Sequence, residues 1–378
     1  MQDRTPSHPN ELSLAGNPQL SLVVIAKNEE ATIERCLETT IESAKHAVQT
    51  GRIKSFETIL VDSASTDRTV ELAAKHAQRV VRLQPEWFLS AAAGSYVGSS
   101  LAKGEIIAIV NADVISDQGW IAGVLRYISK GADAVAGVVL EQFVPADPLN
   151  RLLIRSSTAD LGARLDSRFC ESGNGGGASA GTLVVSSRAL KAVGSYHPFL
   201  VAAEDFDLRH RLLGRGFLVS NVPVLQGTHF WASEGKPLEL MDYLRTILRN
   251  SVGLGQVWRL RQDSTNIRGS ARRAVVNARQ ASSLASGASC FLLPVLIVVA
   301  ALTWPGTAAL LSLGVALGVS IIIIRTVQTY EAHQPLSLKD KVFASLYLPA
   351  LFSFVRLTGF TAGALRRPRL PQEYPWHA

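Results

Sequence analysis

The sequence predicts an α/β fold: a mostly parallel, doubly wound sheet flanked by helices, followed by a transmembrane helical hairpin and a further apolar helix. Three observations carry this. From Leu20 to Val110, short apolar runs rich in β-branched residues alternate with segments of helical spacing, as in a parallel sheet covered on both faces. Residues 280–324 form a 45-residue stretch without Asp, Glu, Lys, Arg or His, broken by Trp304-Pro305-Gly306. One span needs about 20 apolar residues, so this stretch accommodates two joined by a tight turn. Charge is divided in the same way: residues 1–260 carry 26 basic and 27 acidic side chains, residues 261–378 carry 12 and 4.

The elements follow in order. Residues 1–18 are a polar tail without an apolar core of signal-peptide type. Residues 20–26 (LSLVVIA) read as a buried strand, 29–46 as a helix, 56–61 (FETILV) as a strand and 67–76 as a helix. A short strand at 80–83, a small-residue helix at 90–102 and a strand at 105–110 (EIIAIV) come next. Residues 134–140 and 182–186 add strands, and the glycines of 171–181 (ESGNGGGASAG) suit a tightly turning loop near a substrate. A helix is expected at 204–213, ended by Gly214 and Gly216, and a strand at 217–224. The domain plan is therefore a sheet domain over 19–260, a basic juxtamembrane linker over 261–279 and two membrane helices over 280–325. An apolar or re-entrant helix with a basic tail completes it over 326–378. Arg272, Arg273 and Arg279 before the hairpin and Arg325 after it place both ends on the cytoplasmic side. An interfacial helix is expected at 342–360, where Pro349 and Arg356 interrupt the apolar run.

Composition excludes several classes. With 47% hydrophobic and 18% charged residues the chain is not disordered. The net charge of +7 arises entirely beside the apolar runs, which points to anionic lipid and away from nucleic acid. Cys36, Cys170 and Cys290 lie too far apart for a disulfide framework or a zinc knuckle. The expected location is the inner (cytoplasmic) membrane, with the sheet domain in the cytosol.

Ligands of such sheets sit at the carboxyl ends of the strands, which directs attention to the residues after Ala26, Val61 and Val110. Asp62 ends the second strand, where an acidic side chain commonly accepts hydrogen bonds from a nucleoside; a turn-forming role is the alternative. Ser65, Thr66 and Asp67 read as a cap for the following helix. Asn111-Ala112-Asp113 ends the strand at 105–110, and residues spaced by one there can aim oxygens at a single divalent cation bridging phosphates. Asp205 stands at a helix start, where the dipole favours its charge. Asp207 reads as a helix-surface residue.

The ordered set IAKNEE, VDSASTDRT, AKGEIIAIVNADV, VAAEDFDLRHRLLGRGF and THFW resembles the family 2 glycosyltransferases of GT-A fold, over residues 20–231, with C-terminal membrane segments also seen in that family. The resemblance implies a nucleotide-diphospho-sugar donor and a divalent cation, Mn2+ or Mg2+. It implies nucleoside contacts from Ala26, Glu29 and Asp62, and a metal ligand at Asp113. It makes Asp205 of the Glu204-Asp205 pair the general base on the acceptor hydroxyl, with Glu204 the alternative. His229 matches a late histidine that reaches the metal or the diphosphate in some relatives; an ordinary core or surface histidine is the alternative.

The sequence also departs from the family pattern. Asn111 stands where a first carboxylate is usual, keeping an oxygen acceptor at the donor site but losing a charge. Ser95-Tyr96 replaces Arg-Asn, and Ala64 replaces a glycine. The Q-x-x-R-W element of processive synthases is not recognisable, since Gln256-Val-Trp-Arg259 has another order. The expected activity is therefore metal-dependent, inverting transfer of one sugar to a lipid-linked or glycan acceptor. A retaining GT-A transferase and a catalytically impaired module that binds a sugar nucleotide are the alternatives.

Overall fold

The computed structural model describes residues 18–142, 182–230, 240–263 and 348–376. The expectations for the first 17 residues, the glycine-rich stretch at 171–181 and the hairpin at 280–325 lie outside the described residues. The chain divides into two compact units, one holding the sheet together with residues 368–376, the other lying within residues 237–367.

The first unit is built on one eight-stranded sheet in the order β3-β2-β1-β4-β7-β6-β8-β5. Its strands are β1 (Leu20–Ala26), β2 (Phe56–Asp62), β3 (Arg79–Arg82), β4 (Ile106–Asn111), β5 (Val114–Ser116), β6 (Ala134–Gln142), β7 (Thr182–Ser186) and β8 (Val219–Phe230). Helices α1 (Ile33–Gln49), α2 (Thr69–Ala73), α3 (Ala91–Leu101), α4 (Trp120–Ile128), α5 (Ser187–Ala192) and α6 (Glu204–Gly214) lie between them. Side chains alternate along β1. Leu20, Leu22, Val24 and Ala26 pack with Ile33, Cys36 and Leu37 of α1 and Trp120 and Val124 of α4. Val23 and Ile25 face the other way, among Ala93 and Val97 of α3 and Leu208 and Leu212 of α6.

The first four strands, β3-β2-β1-β4, pair in parallel as expected. The other half of the sheet is mixed in direction, in keeping with a mostly parallel sheet. β7 runs antiparallel to both β4 and β6, and β5 antiparallel to β8, while β6 and β8 are parallel. Both kinds of strand are buried on two faces, so their residue content is alike and direction is set by the connections. β8 extends six residues beyond its expected end at 224, which carries His229 into the sheet. Three short elements, β5, α4 and α5, were not foreseen.

In the second unit, helices α7 (Leu240–Asp263) and α8 (Leu348–Leu365) pack together. The seam is made by glycines. A Cβ on Gly363 would lie 2.0 Å from the Val252 carbonyl oxygen, and one on Gly255 would lie 2.1 Å from that of Phe360. Small residues spaced by four let helix backbones meet in this way. α7 runs through the expected domain boundary at 260. Of the helix expected at 342–360, the described part is α8: Pro349 falls in its first turn, where a missing N–H costs nothing, and the helix continues to Leu365. Among the described residues no helix is long and apolar enough to cross a membrane.

Candidate active site

The strand order reverses between β1 and β4, which run side by side in parallel from neighbouring positions of the sheet. A crevice at the carboxyl ends of such a pair is the ligand site of doubly wound sheets. Register places Ile25 beside Asn111 and Ala26 beside Asp62, so three sequence motifs end at one edge. Their loops are laced together. The Asn28 amide donates to Ser65 Oγ (2.8 Å), that of Glu29 to Thr69 Oγ1 (2.7 Å) and that of Thr66 to Asn28 Oδ1 (2.9 Å). Asn28 and Ala64 both adopt left-handed backbone, φ 57° and 58°, so this edge is held in a strained shape by its hydrogen bonds.

Asp62 is wholly buried. One carboxylate oxygen accepts the Ser65 amide at 3.0 Å, the other accepts the Ser65 hydroxyl, and Arg82 Nε lies 3.5 Å away. Asp62 thus organises the turn after β2. The expected cap at 65–67 is corrected in detail. Ser65 bridges to the β1 loop, and Asp67 alone serves the helix, its Oδ1 accepting from the amide and hydroxyl of Thr69 at 3.0 and 2.5 Å.

Asp113 and His229 meet across 116 residues of sequence, Asp113 Oδ2 lying 3.0 Å from His229 Nε2. The meeting follows from register, since β5 pairs antiparallel with β8 and sets Val114 opposite His229. Gly227 permits it: a Cβ there would come 2.2 Å from the Ile115 carbonyl oxygen. Glu29 belongs to the same group. Burial pushes its carboxyl up to about 7, the Asp113 carboxylate adds to this, and Thr32 and His229 oppose it.

A divalent cation fits this group. Asp113 Oδ1 and Asn111 Oδ1 are both buried without a hydrogen-bond partner, which is costly unless something else meets them. A carboxylate, an amide oxygen and an imidazole suit Mn2+. Among the described residues no three His, Cys, Asp or Glu side chains converge as a complete metal site, so phosphate oxygens would have to complete the shell.

Glu204 and Asp205 open α6 in a second group. Ala203, just before them, is left-handed at φ 63°, and Asp205 Oδ1 accepts the amide of Phe206 at 2.7 Å. Burial raises the Asp205 carboxyl above the usual carboxylate range, against the pull of the Phe206 amide and of Arg209 one turn on. Asp207 is not a surface residue: it is 3% exposed and paired with Arg211 at 2.7 Å, because its side of α6 faces the core that holds Leu208 and Leu212.

Residues 21–190 match the family model described as Glycosyl transferase family 2. They form a family 2 glycosyltransferase domain. The matched stretch takes in Glu29, Asp62, Asn111 and Asp113 and ends before Glu204, Asp205 and His229. No curated protein matches the chain. Among solved structures, mannosyltransferase PcManGT from Pyrobaculum calidifontis, in complex with GDP-Man and Mn2+, is similar over 93% of this chain and 87% of its own. That likeness has a TM-score of 0.56 at 18% identity and shows a shared fold. S. aureus TarS 1–349 with UDP-GlcNAc matches at 15% identity over 64% of this chain and 71% of its own, TM-score 0.41. Glucosyl-3-phosphoglycerate synthase from Mycobacterium tuberculosis, with phosphoglyceric acid, matches at 19% over 64% and 79%, TM-score 0.40. The transferase thus has a GT-A-like sheet.

Proposed function

We propose that the transferase moves one sugar, with inversion, from a nucleotide-diphospho-sugar to a lipid-linked or glycan acceptor at the cytosolic face of the inner membrane. The observation that supports this best is the pairing of Asp113 with His229 at the β1/β4 crevice, beside the unpartnered oxygens of Asp113 and Asn111. Asp113 and His229 would hold a divalent cation there, with Asn111 as a neutral oxygen donor. The cation supplies charge neutralisation for the leaving nucleoside diphosphate. Ala26 and Glu29 line the nucleoside end of the crevice, and buried Asp62 fixes the turn that walls it. Asp205 takes the proton from the acceptor hydroxyl. Its raised pKa suits that task, since a general base works best when its pKa approaches the working pH. Retention at the membrane is assigned to residues 280–325 and the basic residues around them.

The test combines donor and base. GDP-mannose and UDP-N-acetylglucosamine should each be titrated with and without Mn2+, following the melting temperature; a true donor raises it by mass action, and more with metal. Asp113→Ala should remove the metal-dependent part. Asp205→Asn keeps size and hydrogen bonding, and should lower kcat by about 10²–10⁴-fold with donor affinity little changed. A loss under about tenfold, with the product anomer retained by NMR, rejects both the base and the inverting course.

A further inference from the structure

Residues 368–376 follow directly on α8, yet they belong to the compact unit of the catalytic sheet. The expectation for this stretch is a basic tail. Instead Tyr374 is 1% exposed and sits among aromatic rings from three other parts of the chain. Its centroid lies 5.8 Å from Trp87, 5.9 Å from Tyr96 and 5.5 Å from Phe199, all edge-on, the arrangement that aromatic quadrupoles favour. Its hydroxyl donates to the Phe88 carbonyl at 3.1 Å, and Trp376 Nε1 donates to Ser100 Oγ at 2.9 Å. Arg369 lies over the Phe199 ring, 5.8 Å from its centroid.

What this cluster holds is close to the carboxylates. Phe199 stands five residues before Glu204, and the intervening stretch is bound at both ends. Its start is fixed by Ser90 Oγ donating to the Pro198 carbonyl at 3.3 Å and by the contact of Phe199 with Phe88, 5.7 Å between centroids. Its end is Ala203, a non-glycine residue in left-handed backbone. Such a conformation costs of order 1–3 kcal/mol and persists only where the surroundings enforce it. The rings of Tyr374 and Phe88 hold Phe199 at the near end of the turn, Leu200 beside it has no exposed surface, and the Ala203 carbonyl accepts the Asp207 amide at 2.9 Å at the far end.

We propose that residues 368–376 are a working part of the transferase, with Tyr374 a positioning residue for Glu204 and Asp205. It fixes Phe199 and, through it, the strained turn on which the two carboxylates stand. The inference rests on the reading of Asp205 as the base. A misplacement of about 1 Å in a catalytic group is enough to cost about 10²-fold in rate. The tail therefore acts on turnover and leaves the Asp113–His229 crevice alone.

The test uses the full chain in detergent, comparing Tyr374→Ala and Tyr374→Phe with the unaltered protein. Amide hydrogen exchange reads the turn without any substrate. Tyr374→Ala should speed exchange of amides 199–207 at least tenfold while β1 and β4 keep their protection, and Tyr374→Phe, which retains the ring, should restore it. With the donor that raises the melting temperature, GDP-mannose or UDP-N-acetylglucosamine, Tyr374→Ala should lower kcat tenfold or more and leave donor KM within about twofold. Unchanged exchange at 199–207, an equal rise through β1 and β4, or a rise in donor KM at constant kcat overturns the proposal. If Tyr374→Ala does not fold, Trp376→Ala, at the outer margin of the cluster, is held to the same criteria. Asp205→Asn run beside them separates the two claims. Loss of kcat in Tyr374→Ala without loss in Asp205→Asn rejects the base and keeps the tail; the converse rejects the tail.

Discussion

Glu29 is a carboxyl whose surroundings oppose its ionisation, through burial first and the Asp113 carboxylate second, so that its pKa is pushed up to about 7. An ordinary glutamate in the unfolded chain titrates near 4.5. The folded form therefore binds the proton more tightly. The stability this contributes is complete below about pH 4.5 and is lost as pH rises through about 7. Glu29 is only partly buried, so the loss is held to about 1–3 kcal/mol after screening. Urea melts of the metal-free protein should show the unaltered chain losing stability against Glu29→Gln across that window. A constant difference from pH 4.5 to 7.5 would refute the coupling. Asp62 and Asp207 show what single residues do and do not disclose. Both are buried and engaged within the fold, Asp62 by Ser65 and Arg82, Asp207 by Arg211, and nothing in the lone Asp207 of the sequence distinguishes such a role from a solvated helix face.

His229 reaches Asp113 only because β5 and β8 pair in one register, and Gly227 sets how closely they approach. In Gly227→Ala the new methyl meets the Ile115 carbonyl, a backbone group that cannot turn aside, so the strands must part. Mn2+-dependent donor binding should weaken by tenfold or more, with overall stability lower by about 1–3 kcal/mol. Calorimetric titration of Mn2+ in the presence of donor checks this; unaltered metal affinity would show that the pairing of His229 with Asp113 is incidental. This juxtaposition was legible in part. Alternation of apolar strands and helices disclosed β1 to β4 and hence the crevice, because burial on both faces writes a continuous apolar run. β5 is three residues long and leaves no periodic trace. The reversed direction of β7 was hidden for a different reason, since buried strands of either direction share one composition. The α7–α8 seam does carry a sequence signal, Gly359 and Gly363 four apart, in the same segment as Pro349 and Arg356.

A chain with 12 basic and 4 acidic side chains in its last 118 residues, and a 45-residue uncharged run within them, is expected to bind membranes in two separable ways. The uncharged run at 280–324 would act through the hydrocarbon and be indifferent to salt. The basic residues, including the exposed Arg366, Arg367 and Arg369, act through lipid charge at about 1 kcal/mol each near an anionic surface, and that part fades within a Debye length. The sequence alone suggests cutting at 280 to separate the two. The structure argues against that cut, because it also removes Tyr374 from the catalytic core, a partnership 286 residues long that no local pattern discloses. The informative variant deletes residues 280–324 and keeps the tail. It should sediment with vesicles containing phosphatidylserine at 50 mM salt, release from them at 500 mM, and ignore neutral phosphatidylcholine vesicles (about a threefold change in Debye length over that range). The unaltered chain should stay with both at either salt. Salt-resistant retention of the deleted chain would place the anchor elsewhere, and release of the unaltered chain at 500 mM would deny the uncharged run its span.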